Sequence, residues 1–259
     1  MITSTKNVKI KEYLKLRDNS RFRAQQSKFV LEGVRLIHEA IKQNVELDNV
    51  FLSELCVKKI ENTMYDITKH KSFILISKNV VDLISGVYNS QGAFAIAKKP
   101  NCFDIKNISN DEVVLALCEV KDPGNIGNII RCAFSFGIKK VVLYNCCDIY
   151  NQKVVRSSMG GLFKVKFLNC NDFSNFLKYL KSKNINTFAS VLHNKAEGVS
   201  FLKGKNGVII VGSEASGLPS YVVDMCDSKV SIKMAKNAES LNVAVACGIL
   251  LHEMKNMEG

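Results

Sequence analysis

The sequence has no apolar run that approaches the ~20 residues needed to cross a bilayer, and none follows the charges at its amino terminus. We therefore expect a protein that is neither membrane-embedded nor exported. Its nine cysteines are scattered, with only Cys146 and Cys147 adjacent, so they form neither a disulfide framework nor a Cys-x-x-Cys zinc site. The four histidines also lie far apart. We expect no metal site, and reduced thiols in the cytoplasm.

Two glycine-rich nucleotide-binding motifs are also missing. The chain has no Walker lysine loop and no G-x-G-x-x-G, so P-loop hydrolysis and the usual dinucleotide-binding fold lose their main support. Disorder is excluded by composition, because 47% of the residues are apolar and 23% are charged. The chain does have an excess of positive charge, since 36 Lys and Arg against 24 Asp and Glu give +12.

The positive charge is densest in the first 28 residues, where only Glu12 and Asp18 oppose it. The basic residues there are Lys6, Lys9, Lys11, Lys15, Arg17, Arg21, Arg23 and Lys28. Phosphate is a natural partner for such a cluster, because neutralising a polyanion releases its counterions. The alternative is a solvated helix face whose buried side carries Tyr13, Leu14 and Leu16. This stretch alone does not separate the two interpretations.

A polar, aperiodic segment at 97–111 divides the chain into two α/β parts. The first part combines a strand-like run at 29–33 with a helix at 34–41, and further short apolar runs at 50–53, 73–76 and 93–97. In the second part strands alternate with helices, which predicts a mostly parallel sheet with helices on both faces. We place the domains at 1–105 and 106–259.

The second part has recognisable elements. Strands are predicted at 113–117, 140–144, 164–168, 186–191 and 208–212. A helix begins near Asn125 and carries one apolar face, formed by Ile126, Ile129, Ile130, Ala133 and Phe134. The last segment, 241–254, is apolar nearly all round at its start, so it should be buried in the core or in a subunit interface.

Ligands bind at the carboxyl ends of strands in open parallel sheets, so the loops that follow strands are of interest. Three are unusual: 122–131, with Asn125 and Arg131; 154–163, with paired glycines; and 212–219, with Glu214. Taken singly, each has an ordinary explanation. Asn125 could cap a helix, Arg131 could form a surface ion pair, and the segment 240–242 could cap the last helix.

In order, these loops closely resemble the three motifs of the SpoU-type RNA ribose 2'-O-methyltransferases of the SPOUT superfamily. The matching segments are 122–131, 155–163 and 212–246. The first hundred residues more loosely resemble a ribosomal-protein-like substrate-binding domain, through 20–23 and 29–33. The resemblance implies a trefoil-knotted α/β fold, a homodimer with its active site near the interface, and bound S-adenosyl-L-methionine.

The resemblance also assigns roles to individual residues. Arg131 matches the catalytic arginine, and the polar residues that match beside it are Asn125, Glu214, Ser240 and Asn242. Glu214 would also hold Arg131. The cofactor pocket would be lined by Gly212, Ile232, Met234 and Leu241, with the loop 190–193 closing over the adenine. Lys233 and the segment 235–237 depart from the common family pattern. Arg21 and Arg23 would contact RNA.

The function implied is methylation of a ribose 2'-hydroxyl in structured RNA, and the extra amino-terminal domain favours ribosomal RNA over tRNA. Methylation of a tRNA ribose is an alternative. Methylation of a tRNA base is another, against which the signature 239–242 argues. A noncatalytic RNA-binding or ribosome-assembly protein would tolerate loss of Asn125, Arg131 and Asn242, all of which are present. Whether Arg131 is the base or a charge stabiliser stays open, because arginine has a pKa above ~12.

Overall fold

The computed structural model describes residues 1–100, 102–192, 196–235 and 237–255. The chain forms two compact units, Met1–Pro100 with Tyr150–Phe163, and Asn101–Ile149 with Lys164–Gly259. Among the described residues, no helix is both long and apolar enough to cross a membrane.

The first unit is built on a four-stranded sheet with the order β1-β4-β2-β3. Its elements are α1 Val8–Asp18, α2 Ser20–Gln26, β1 Lys28–Glu32, α3 Val34–Lys42, β2 Leu47–Ser53, α4 Glu54–Ile60, β3 Phe73–Ile76, α5 Lys78–Ile84 and β4 Ala93–Lys98. Strands β1 and β2 both pair antiparallel with β4, and β3 pairs parallel with β2. The carboxyl ends of β1, β2 and β3 therefore lie at one edge, where α3, α4 and α5 begin.

The segment Tyr150–Phe163 belongs to this first unit. The Tyr150 ring lies 4.9 Å from that of Phe29, and Gln152 Nε2 donates a 2.7 Å hydrogen bond to the buried carboxylate of Glu32. The first of the paired glycines has a steric reason, since Gly160 has φ +87° and a Cβ there would meet the Glu39 side chain at 2.9 Å. The segment forms α7, Gln152–Ser157, and a 3₁₀ turn at Gly161–Phe163.

The basic cluster of the first 28 residues is only partly available. Lys6, Lys9, Lys11, Lys15 and Arg21 are exposed. Lys28 instead pairs with Glu12 at 2.9 Å and Asp48 at 2.8 Å, and Arg17 pairs with Asp18 at 2.7 Å.

Arg23 was expected to contact RNA, and the structure contradicts this expectation. It is 3% exposed, and its Nη1 donates to the carbonyl oxygens of Leu16 at 2.7 Å and Arg17 at 2.9 Å. These carbonyls belong to the last turn of α1, where no further turn satisfies them. Arg23 therefore ties α2 to the end of α1 and has no exposed face for a phosphate.

The second unit contains a seven-stranded sheet with the order β7-β6-β5-β10-β8-β11-β9, in which all neighbouring strands are parallel. Its elements are β5 Val113–Cys118, α6 Pro123–Ser135, β6 Lys140–Tyr144, β7 Lys166–Cys170, α8 Phe173–Ser182, β8 Thr187–Ser190, β9 Glu197–Gly198, β10 Gly207–Val211, α9 Ser220–Met225, β11 Ser228–Ser231 and α10 Val243–Lys255. The predicted mostly parallel α/β sheet is confirmed.

Both faces of this sheet are covered. Val114 and Ala116 of β5 pack with Phe176 and Leu180 of α8 in one cluster. Alternation along the strand turns Leu115 to the opposite face, where it is equally buried. The polar segment at 97–111 also contributes to this unit, because Phe103 and Ile108 pack into the same cluster as α8.

Two sequence expectations for this unit need correction. Phe134 was expected on the buried face of α6, but it is 40% exposed and its ring lies 4.4 Å from Lys164 Nζ. The reason is rotation, since eight residues after Ile126 the helix has turned ~80° past the centre of the apolar stripe. The strand expected at 164–168 begins two residues later, at Lys166.

Three of the nine cysteine thiols lie in the core. Cys56, Cys118 and Cys247 are buried, and burial raises the pKa of Cys56 to about 11 and that of Cys118 to about 12. These two thiols therefore stay protonated at neutral pH.

We expect Arg23→Ala to lower the free energy of unfolding by about 2–3 kcal/mol, because two helix-terminal carbonyls lose a charged donor. Arg21→Ala is the matched control, since Arg21 is exposed on the same helix and should change stability by less than about 0.5 kcal/mol. Urea denaturation of both variants measures this. Equal effects of the two substitutions would contradict the buried role of Arg23.

Candidate active site

The site is built where two helices begin. α6 starts at Pro123, and the Asp122 side chain caps it by accepting from the Asn125 backbone N–H at 2.8 Å. α10 starts after Asn242, whose Oδ1 accepts from the Ala244 N–H at 2.9 Å. The helices pack side by side in the same direction. Their amino-terminal ends, and the positive ends of their dipoles, therefore point to one place.

A hydrogen-bonded chain of three side chains joins these helix starts to the loop after β10. Asn242 Nδ2 donates to Asn125 Oδ1 at 2.9 Å, and Asn125 Nδ2 donates to Glu214 Oε1. The negative charge of Glu214 thus lies beside two helix amino termini, where it is favoured. Three of the five polar residues expected at the catalytic site are brought together.

The loop that carries Glu214 is closed on itself. Ser213 and Gly217 exchange backbone hydrogen bonds of 3.2 and 3.0 Å, and the Ser213 and Ser216 hydroxyls are 2.8 Å apart. Gly217 has φ +65°, and a Cβ on Gly212 would meet the Gly217 carbonyl carbon at 2.3 Å. Glycine at 212 is therefore what allows the loop to close tightly enough to hold Glu214 in place.

A cavity of about 330 Å³ adjoins this loop. All four residues expected to bind a cofactor line it, namely Gly212, Ile232, Met234 and Leu241. Glu214 and Ser240 line it as well. Ser190, Val191 and Leu192, from the loop expected to close over the adenine, line it too. The sequence interpretation did not assign the remaining lining residues, which are Val211, Ser213, Ala215, Ser216, Gly217, Leu218, Val223, Val243 and Ala246.

Most of the unassigned residues had a signal in the sequence. Those at 213–218 lie in the glycine-bracketed loop after a strand. Val223 had none, because its place depends on α9 folding back toward the cavity. His193 and Lys236, which the sequence interpretation also mentions, lie outside the described residues.

Arg131 does not join the hydrogen-bonded chain. It lies six residues after Asn125 on α6, so its side chain leaves the helix ~120° away around the axis, and it is exposed. Within the described part of the chain, Glu214 has no bond to Arg131. The expectation that Glu214 holds Arg131 is therefore corrected, since Glu214 holds Asn125 and α6 turns Arg131 to another face.

Comparison with known protein families assigns both parts of the chain. Residues 112–252 match the model of the SpoU rRNA methylase family. Residues 7–95 match the MRM3-like substrate binding domain. The first match contains all three side chains of the hydrogen-bonded chain, and Arg131.

Relatives and solved structures agree with these matches. The chain is 27% identical over 98% of its length to the 23S rRNA (guanosine(2553)-2'-O)-methyltransferase RlmP of Bacillus subtilis, of which it covers 98%. It is 28% identical to an RNA 2'-O ribose methyltransferase of known crystal structure, with a TM-score of 0.82 and 98% of each chain covered. An AdoMet-bound rRNA methyltransferase from Sinorhizobium meliloti, 24% identical, shares the fold with a TM-score of 0.85, covering 100% of this chain and 98% of its own.

We expect Gly212→Ala to destabilise the protein by about 1–3 kcal/mol, because the new methyl group would overlap the loop backbone at Gly217 and Leu218. Gly248→Ala is the matched control within α10. Its Cβ would meet only Cys132 Sγ, at 3.8 Å, so the helix should gain up to about 1 kcal/mol. Urea denaturation measures both, and wild-type stability of Gly212→Ala would show that the loop is not closed in this way.

Proposed function

The chain belongs to the SpoU rRNA methylase family, and from this we propose that it transfers a methyl group from S-adenosyl-L-methionine to a ribose 2'-hydroxyl of ribosomal RNA. The observation that carries the proposal is the chain Glu214–Asn125–Asn242 beside a cavity whose lining residues come mostly from the third family-like segment. The RNA substrate follows from the nucleophile, since DNA has no 2'-hydroxyl.

The residues of the cavity fit S-adenosyl-L-methionine. About 330 Å³ is within the range of small-ligand sites, and the walls combine apolar side chains with the polar Ser213, Glu214 and Ser240. Gly212, Ile232, Met234 and Leu241 would hold the cofactor, largely through backbone groups. When bound, it supplies an electrophilic sulfonium methyl group. The protein must then orient the ribose oxygen and handle its proton.

The polar residues divide this work. Asn125 and Asn242 fix each other and the starts of α6 and α10, so they orient the site. Glu214 fixes Asn125, and Ser240 offers a hydroxyl at the cavity wall. Arg131 is the catalytic residue on the substrate side. As a cation it binds the phosphate beside the target ribose and stabilises the developing alkoxide, and the proton leaves to that phosphate or to water.

A second copy of the chain gives Arg131 a place in the reaction. Apolar side chains are exposed on both helices, Phe134 of α6 at 40% and Val245 of α10 at 52%, and Leu241, just before α10, is 36% exposed. Arg131 is exposed on the same helix as Phe134. We propose that this surface, called the α6–α10 face, forms a homodimer. Burying it would cover the apolar side chains and bring Arg131 to the interface.

The remaining proposals concern the whole molecule. We propose a cytoplasmic protein that needs no metal, a trefoil knot in the second unit, and functional domains at 1–105 and 106–259. In the first domain, Arg21 and the exposed lysines of α1 contact the RNA, whereas Arg23 joins α2 to the end of α1. The relative from Bacillus subtilis acts on guanosine 2553 of 23S rRNA, which makes the corresponding nucleotide the first to examine.

We expect wild-type protein to transfer labelled methyl groups from S-adenosyl-L-methionine to ribosomal RNA, and Arg131→Ala to lose about 100-fold or more of this activity. Cofactor binding, followed by calorimetry, should stay nearly intact, because Arg131 does not line the cavity. Arg131→Lys should also be poor, since a point charge cannot replace a planar fork.

The exposed Lys178→Ala on α8 removes the same charge and should keep full activity. Mapping 2'-O-methylation across ribosomal RNA with and without the gene identifies the nucleotide. An unchanged methylation map, together with no transfer in vitro, would refute the proposed function. Equal loss of cofactor affinity in Arg131→Ala would move Arg131 into the cofactor pocket.

For the dimer, we expect Val245→Asp to yield a folded monomer at micromolar concentration, because burying an unpaired charge in an apolar interface is costly. Val8→Asp is the matched control, since Val8 is 80% exposed at the start of α1. Sedimentation velocity separates the outcomes. If wild-type protein sediments as a monomer, or if both variants stay dimeric, the α6–α10 face is not the interface.

A further inference from the structure

Three adjoining cavities follow the edge of the first unit where β1, β2 and β3 end. Their volumes are about 740, 710 and 400 Å³. The first and second share Val81, Asp82 and Ser90 as walls, and the second and third share Arg35, Tyr65 and Gln91. Together they form one continuous groove, here called the unit 1 groove, which lies entirely on residues of this unit.

Aromatic side chains lie at both ends of this groove. Tyr88, a wall of the first cavity, is 102% exposed, so its ring makes no packing contribution to the fold. At the other end the half-buried Tyr65 ring meets the His38 ring edge-on at 5.3 Å, and the Arg35 guanidinium lies 5.8 Å from its centroid. Exposed rings and guanidinium planes are the surfaces on which unpaired bases stack.

The charges of the groove suit a nucleotide strand better than a simple anion. Arg35, Lys59 and Lys78 are exposed cations at the middle cavity, and they can meet backbone phosphates. Glu54 and Asp82 line the same cavity, which disfavours a site for phosphate alone. Carboxylates accept hydrogen bonds from the amino groups of bases, so the mixture fits bases and backbone together.

We propose that the unit 1 groove binds an unpaired strand of the RNA substrate, with bases stacked on Tyr88 and on Tyr65, and with phosphates near Arg35. This deepens the proposed function and rests on it, because it names which form of the RNA the first unit recognises. The rings supply affinity for single strands, whereas the exposed charges of α1 and α2 act on any polyanion.

Binding of fluorescein-labelled RNA to the full-length protein tests the proposal, with an unstructured poly(U) strand, a duplex of equal length and a ribosomal RNA transcript as probes. We expect Tyr88→Ala and Tyr65→Ala each to weaken single-strand binding by about tenfold while the slope of affinity against salt stays constant. Duplex binding should not change. Tyr65→Phe keeps the ring and should remain within about twofold of wild type.

The charge is tested separately from the rings. Arg35→Ala should reduce the salt slope by about one, as expected for one lost phosphate contact. The exposed Lys181→Ala on α8 is the control of equal charge and should alter neither affinity nor slope.

Several outcomes would overturn this assignment while leaving methyl transfer intact. These are wild-type affinity in both tyrosine-to-alanine variants, equal losses for Tyr65→Phe and Tyr65→Ala, or equal losses for single strand and duplex. Thermal unfolding and cofactor binding of each variant show that it is folded. Conversely, strong RNA binding without any methyl transfer would refute the proposed function and not the groove. No RNA binding by wild-type protein would refute both.

Discussion

The candidate site depends on the two-sided chemistry of one amide, that of Asn242. Its carbonyl oxygen caps α10, and its NH₂ group donates to Asn125 at the start of α6. A carboxylate could cap the helix but has no hydrogen to donate, so aspartate could not join the two helices. Asn125 repeats this arrangement, because it accepts from Asn242 and donates to Glu214. The loop after β10 and the cavity beside it are positioned through this chain.

Much of this site could be predicted from the order of its motifs. Asn125, Glu214 and Asn242 each follow a strand or precede a helix, and parallel strands bring their carboxyl ends to one edge. The four residues expected to bind a cofactor line one cavity for the same reason. Resemblance was needed to choose them, since each residue alone has an ordinary role as a helix cap or loop former.

What could not be predicted depends on rotation and long-range packing. Arg131 comes six positions after Asn125 on α6, so the helix turns the two side chains to different faces. Two residues of one sequence motif therefore need not contact each other. Gly160 lies in the second motif-like segment, yet its tight neighbour is Glu39 of α3. A sequence pattern contains the period of its own element but does not show which distant side chain lies against it.

The arginines show why a count of charges is a poor guide to RNA contact. Arg17 is paired with Asp18 and Arg23 is buried on two carbonyls, although both belong to the densest basic cluster. Arg35 lies outside that cluster, but it is exposed beside an aromatic ring. A guanidinium already bonded inside the fold must lose those bonds before it meets a phosphate, whereas an exposed one loses only water. RNA affinity should therefore follow the exposed subset of cations and the rings beside them, and not the net charge of the chain.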